Sequence, residues 1–321
     1  MRRRVLLASM ATTAFPPEMV RAQQKAMPVI GLLTTNPPDA PFWVGFFDGL
    51  SRLGFVEGQN LQFDRQGFRL RPDQFLQRAA ELVKSKVDVI VPAANAIGAA
   101  QQATATIPIL AVTDDMVSEG FARSLAHPGG NITGISILAA ELDVKRQGLL
   151  IELLPGVRRI AVLADSRTAV PEKLQALQNA ARAAGVALLV HKVGTSEEIA
   201  PAIDAAKALG ATALNVLASN LLHGNQQIIF ERTAALGLPA IYQWTEMAHD
   251  GGLASYGPSI VQIYRQQLAR QLVELLRGKQ PANLPIEQPT NFQLVINLKT
   301  ARSLGLTIPP TMLARADEVI E

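Results

Sequence analysis

The chain contains no cysteine. That excludes disulfides, thiol nucleophiles, Cys-ligated metals and a lipid anchor attached through a cysteine. It also has no G-x-G-x-x-G and no G-x-x-x-x-G-K-[ST]. Backbone amides need glycine to approach a phosphate closely, so nucleotide binding lacks its usual cradle. There is no G-x-S-x-G elbow for an acyl hydrolase. The four histidines (His127, His191, His223, His249) show no zinc spacing, and each reads as a loop or surface residue. No catalytic residue, metal or cofactor is therefore expected, and the chain does not read as an enzyme. Beyond the N-terminus, no apolar run reaches the ~18 residues of a membrane-spanning helix.

What is present begins at that N-terminus. Arg2, Arg3 and Arg4 precede an apolar run, Val5 to Phe15, and Val20-Arg21-Ala22 follows as a small-residue cleavage pattern. This is the layout of a secretory signal peptide over residues 1–22, cleaved near Ala22. The arginines fit an ordinary positive n-region, with a twin-arginine signal as the alternative. Export without a cysteine anchor implies a periplasmic location. The leader also accounts for the net charge of +3, because residues 1–22 hold four arginines and one acid, Glu18. The remainder is balanced and has no basic stripe with interleaved aromatics, so nucleic acid is not expected as a partner.

The rest of the chain suits two lobes of roughly 110–150 residues each. Short apolar runs such as Val29–Thr34, Val87–Val91 and Ile109–Val112 alternate with helical stripes such as Phe42, Phe46, Leu50 and Leu53. The spacing also predicts a short helix near Ser118–Leu125. The alternation restarts after a break near Ile137–Leu142. Its strands are Arg159–Ala164, Ala187–Val193, Ala213–Leu217, Ala240–Tyr242 and Leu253–Tyr256. A long helix, about Ser259–Arg277, and a proline-rich stretch, Gln280–Pro289, follow. Near-continuous apolar strands alternating with helices mean parallel sheets covered on both faces. The fold class is α/β: two doubly wound parallel-sheet lobes with a ligand cleft between them.

Ligands in such sheets sit beyond the carboxyl ends of the strands. In the first lobe this rule selects Asn36, Phe42, Trp43, Asn95, Asp114 and Asp115 as candidate ligand-binding residues. In the second it selects Ser166, Asn220, Gln243, Trp244, Glu246 and Tyr256. Trp43 sits beside the core stripe of its helix rather than on it. Adjacent residues point apart, so Asp114 and Asp115 are not expected to share a proton; one would accept from ligand or cap the next helix. A carboxylate such as Glu246 or Asp115 suits a ligand ammonium, and Asn and Ser groups suit a carboxylate.

Several stretches resemble one family, the exported ABC-transporter substrate-binding proteins related to tryptophan- and tyrosine-binding components. They are Gly54-Phe55-Val56-Glu57-Gly58-Gln59-Asn60, the run Ser124-Leu125-Ala126-His127-Pro128-Gly129-Gly130-Asn131-Ile132-Thr133-Gly134, and the run from Gly251 to Pro258. The longest is Leu284-Pro285-Ile286-Glu287-Gln288-Pro289-Thr290, continuing through Val295–Ala301 to Leu306–Pro310. One departure is Asp115-Met116-Val117, where many relatives carry Asp-Pro-Val. The resemblance implies a type I periplasmic-binding-protein fold with three crossings between lobes. Lobe I would then comprise residues 28–137 plus 258–281, and lobe II residues 138–257 plus 282–321. It further implies capture of a small organic ligand by lobe closure and delivery to an ABC permease in the inner membrane, by a monomer. An aromatic amino acid or aromatic acid suits the cleft loops, and another amino acid or small metabolite stays open. The alternatives are a sensory module for a membrane receptor and an exported enzyme.

Overall fold

The computed structural model describes residues 27–137 and 142–321. The expected signal peptide lies outside the described residues. The first sheet contains β1 (Val29–Leu33), β2 (Gln62–Asp64), β3 (Val89–Pro92), β4 (Ile109–Thr113) and β5 (Ile132–Ser136). Their order is β2-β1-β3-β4-β5, and every pairing is parallel. The pleat sends alternate residues to opposite faces. Ile30 and Leu32 meet Phe46 and Leu50 of the helix Pro41–Arg52 on one face. Leu33 and Ile90 meet Leu82 and Ile97 on the other. Both faces are covered, so β4 (ILAVT) is buried along its whole length.

The second sheet contains β6 (Arg159–Asp165), β7 (Ala187–Val193), β8 (Ala213–Val216), β9 (Ala240–Tyr242), β10 (Ala254–Gly257), β11 (Gln293–Asn297) and β12 (Glu318–Ile320). Its order is β12-β11-β10-β9-β8-β6-β7. One pairing departs from the parallel expectation: β11 runs antiparallel to β10. The chain leaves β10, packs a helix on the first lobe and re-enters from the opposite direction.

That helix departs from regular α geometry. It runs from Ile260 to Leu276, with a π-helical turn at Ile263–Leu268. It lies against the helix Pro41–Arg52, whose Gly45 and Gly49 permit close backbone approach. A Cβ on Gly49 would stand 1.9 Å from the Arg265 carbonyl oxygen. Arg265 Nε also meets Asp48 Oδ2 at 3.0 Å. The contact fixes Tyr264, on the π turn, at the mouth of the first lobe.

Two further expectations are corrected. Residues 118–125 form turns rather than a helix. The Glu119 carboxylate folds back onto Thr113 and the Asp115 amide, and Gly120 takes a positive φ of 78°. Residues 284–287, expected with the second lobe, lie along β5 of the first. Thr133 Oγ1 donates to Leu284 O at 2.7 Å, and the Ser136 amide donates to Glu287 O at 2.8 Å. The segment thereby covers a sheet edge that would otherwise be exposed.

Candidate functional site

A cavity of about 180 Å³ lies between the two sheets. Its walls come from residues just past the carboxyl ends of strands in both: Asn36 after β1, Ala93 after β3, Asp114 after β4, Thr168 after β6, Ser219 after β8 and Gln243 after β9. Such ends are where open parallel sheets bind ligands, because the loops there are free of the hydrogen-bonding ladder.

The aromatic parts of the walls come from both lobes. On the first, Phe42 and Tyr264 line the cavity, with ring centroids 4.8 Å apart. Trp43 stands behind them, fully buried, 5.6 Å from Phe42 and 5.4 Å from Tyr264. It also meets Phe46 and Phe68 edge-on. Its position is therefore in the core stripe, not beside it, and it does not line the cavity. Burial pushes the Tyr264 phenol well above its ordinary value, so it stays protonated. On the second lobe, Trp244 lines the cavity and lies edge-on to His223 at 6.0 Å.

The polar groups divide by lobe. On the first, Glu119 lines the cavity; its carboxylate accepts from Thr113 Oγ1 at 2.8 and 2.9 Å and from the Asp115 amide at 3.0 Å. Asp114 lines it too, and its carbonyl accepts from Ser136 Oγ at 3.1 Å. Asn36 is tied to Thr34 Oγ1 through its amide at 3.1 Å. On the second lobe, Thr168, Ser219, His223, Gln243 and Trp244 contribute. Three of their buried atoms have no hydrogen-bond partner among the described residues: His223 Nδ1, Gln243 Oε1 and Trp244 Nε1. Burial drives the His223 pKa below the ordinary histidine value, against the raising influence of Glu246 and Asp250, so the ring is neutral near pH 7. None of the described lining residues is Lys or Arg.

Of the sequence candidates, Asn36, Phe42, Asp114, Gln243 and Trp244 come together on this cavity. Asn95 and Ser166 are exposed and off it. Asp115 accepts from the Val117 and Ser118 amides at 3.0 and 3.1 Å. Glu246 accepts from the Ile260 and Val261 amides at 3.3 and 3.1 Å and from Ser259 Oγ, capping the helix that carries Tyr264. Tyr256 packs against the second-lobe core. Asn220 opens the helix Asn220–Gly224, and its side chain is outside the described set. Sequence reasoning did not single out Thr113, Glu119, Thr168, Ser219, His223 or Tyr264 as ligand contacts. A helical stripe of Ile263, Tyr264 and Leu268 was the available signal for Tyr264.

Behind the second-lobe wall lies a buried ionic cluster. Asp143 meets Arg146 on one oxygen and Lys173 Nζ, at 2.7 Å, on the other. Asp143 Oδ1 also accepts from the amide of Ala218, a cavity residue, at 3.2 Å. Arg146 donates to Tyr256 O at 3.1 Å. The cluster ties the start of the helix Leu142–Leu153 to the ends of β8 and β10. Among the described residues no group of His, Asp and Glu could hold a metal ion, and no helix is long and apolar enough to cross a membrane.

Two doubly wound lobes around a cleft define the type I periplasmic-binding-protein class of fold. The likeness extends to a ribose operon repressor from Lactobacillus acidophilus, at 12% identity and a TM-score of 0.53, covering 81% of this chain and 94% of that one. The relationship becomes specific in one family. The family model for "ABC transporter substrate binding protein" matches residues 38–320, and the chain belongs to that family. It is similar to a "Tyrosine-binding protein" of Clostridioides difficile (strain R20291), with 27% identity over 270 residues, covering 82% of this chain and 76% of that protein. It resembles a solved ABC domain in complex with L-Trp from Streptococcus pneumonia, at 25% identity and a TM-score of 0.78, covering 91% of this chain and 99% of that one. A conserved domain protein from Vibrio cholerae matches at 29% identity and the same TM-score of 0.78, covering 91% and 98%.

Proposed function

We propose that this protein captures an amino acid, preferably an aromatic one, in the cavity between its lobes and delivers it to an ABC permease. One observation carries the reading. Aromatic side chains from both lobes, Phe42 and Tyr264 on one and Trp244 on the other, line one cavity together with Asp114, Glu119 and several neutral polar groups. A ligand touching both walls favours the closed arrangement in proportion to its preference for that state over the open one. The tyrosine-binding relative and the L-Trp-bound relative support the choice of ligand class. The reading includes no catalytic step. The arginine-led apolar segment before Ala22 supports export to the periplasm.

The test is a thermal-shift screen of ligand-stripped protein, residues 23–321, against amino acids, aromatic acids, sugars and nucleosides. A ligand at 100 times its Kd stabilises the fold by roughly 2.7 kcal/mol. Aromatic amino acids are expected to raise Tm most. A hit confined to sugars or nucleosides would overturn the ligand class, and chemical conversion of a bound ligand would overturn the carrier role.

A further inference from the structure

The cavity is electrically lopsided. Its two carboxylates, Glu119 and Asp114, both belong to the first lobe. The second-lobe wall holds no carboxylate and no Lys or Arg among its described residues. It does hold two buried nitrogens without partners among the described residues, the Trp244 indole Nε1 and His223 Nδ1. An indole N–H can only donate, whereas an imidazole nitrogen can accept or, once protonated, donate. Buried donors left unpaired cost stability, and a bound acceptor relieves that cost.

We propose that the ligand lies across the cleft as a zwitterion, with its ammonium on the first-lobe carboxylates and its carboxylate on the second lobe, received by Trp244 Nε1–H and His223. This placement rests on the amino-acid reading above. It has a consequence for protons. A carboxylate brought against a neutral imidazole in a site without Lys or Arg favours the imidazolium, so His223 takes up a proton as ligand binds. The charged groups around His223 are known. Glu246 and Asp250 act from its own lobe and already favour the cation, and burial outweighs them. Glu119, Asp114 and the protonated Tyr264 phenol line the same cavity from the first lobe. The ligand ammonium offsets one unit of the first-lobe carboxylate charge, and the ligand carboxylate, set against the ring itself, is the added charge that tips His223.

Isothermal titration with L-tryptophan at pH 7, in phosphate and in Tris, measures the proton directly. About one proton is expected to be taken up per ligand, and none in His223→Gln. By linkage, the wild-type Kd should rise about tenfold between pH 7 and pH 8, while the His223→Gln Kd stays nearly flat. Tryptamine, which lacks the carboxylate, checks the wild-type protein without any variant; it should bind at least about tenfold more weakly, with no proton uptake. Binding of L-tryptophan without proton uptake, uptake unchanged in His223→Gln, or equal affinity for tryptamine would overturn the placement and leave the amino-acid reading standing. If neither L-tryptophan nor L-tyrosine binds, the reading fails and the placement fails with it.

Discussion

A Cβ on Gly49 would stand 1.9 Å from the carbonyl oxygen of Arg265. Two helices from distant parts of the chain thus meet backbone to backbone, and the π turn that contains Arg265 sets Tyr264 beside Phe42. π turns of this kind often mark functional positions, because they re-aim one side chain without ending the helix. Gly49→Ala forces the helices apart. A stability loss of about 1–3 kcal/mol is expected from overpacking, together with weaker ligand binding as Tyr264 shifts. Urea unfolding and titration of the same variant measure both, and an unchanged midpoint would contradict the contact.

The two tryptophans should separate stability from binding. Trp43 is fully buried behind the cavity wall. Trp43→Ala is expected to cost about 3–5 kcal/mol of stability. Trp244 lines the cavity. Trp244→Ala should weaken ligand binding by ~1 kcal/mol or more, with a smaller loss of stability than Trp43→Ala. The reverse pattern in denaturant and titration experiments would contradict the assignment.

Asp143 balances two cations in a site where both carboxylate and guanidinium are fully buried. Asp143→Asn keeps the shape and removes the charge. It removes one anion from the fully buried Arg146, at an expected cost of about 3–5 kcal/mol. Lys173 keeps slight exposure and can turn to solvent. A denaturation midpoint equal to wild type would show that the cluster does not hold the helix Leu142–Leu153 to the ends of β8 and β10.

His223 gives a pH dependence with a definite sign. Burial lowers its pKa in the folded protein below the value of 6.5 that it has in an unfolded chain. As pH falls through about 6.5 the unfolded state therefore binds more protons than the folded state. Stability contributed by the neutral ring is present above that pH and is lost on acidification. Without ligand, the wild-type Tm should fall more steeply below pH 6.5 than that of His223→Gln. Parallel curves would contradict the burial argument.

The lobes were legible because their cause is local. Runs such as VIGLL at Val29–Leu33 and ILAV at Ile109–Val112 carry no polar side chain, and only strands covered on both faces need that. The cavity was legible in part, since strand ends are local too, and Asn36, Phe42, Asp114, Gln243 and Trp244 follow from them. Tyr264 was not legible as a cavity residue. It reaches the first lobe only through a helix that crosses back after β10, by a contact that two glycines permit. Residues 118–125 misled for a related reason. Their spacing suits a helix, but the hydrogen bonds of Glu119 to Thr113 and Asp115 hold the chain in turns. His223 looked like a surface histidine because its burial beside Trp244 depends on how Asn220–Gly224 folds against β6.

The central claim is that ligand enters the cavity between the lobes and meets Trp244. The chain has two tryptophans, so Trp43→Phe leaves Trp244 as the sole indole reporter. Its fluorescence, excited at wavelengths that L-tyrosine does not absorb, can be followed while L-tyrosine is added. The account expects a saturable change in emission at one ligand per chain, with the same Kd that calorimetry gives for this variant. Binding seen by calorimetry with no change in Trp244 emission would place the ligand elsewhere and contradict the account.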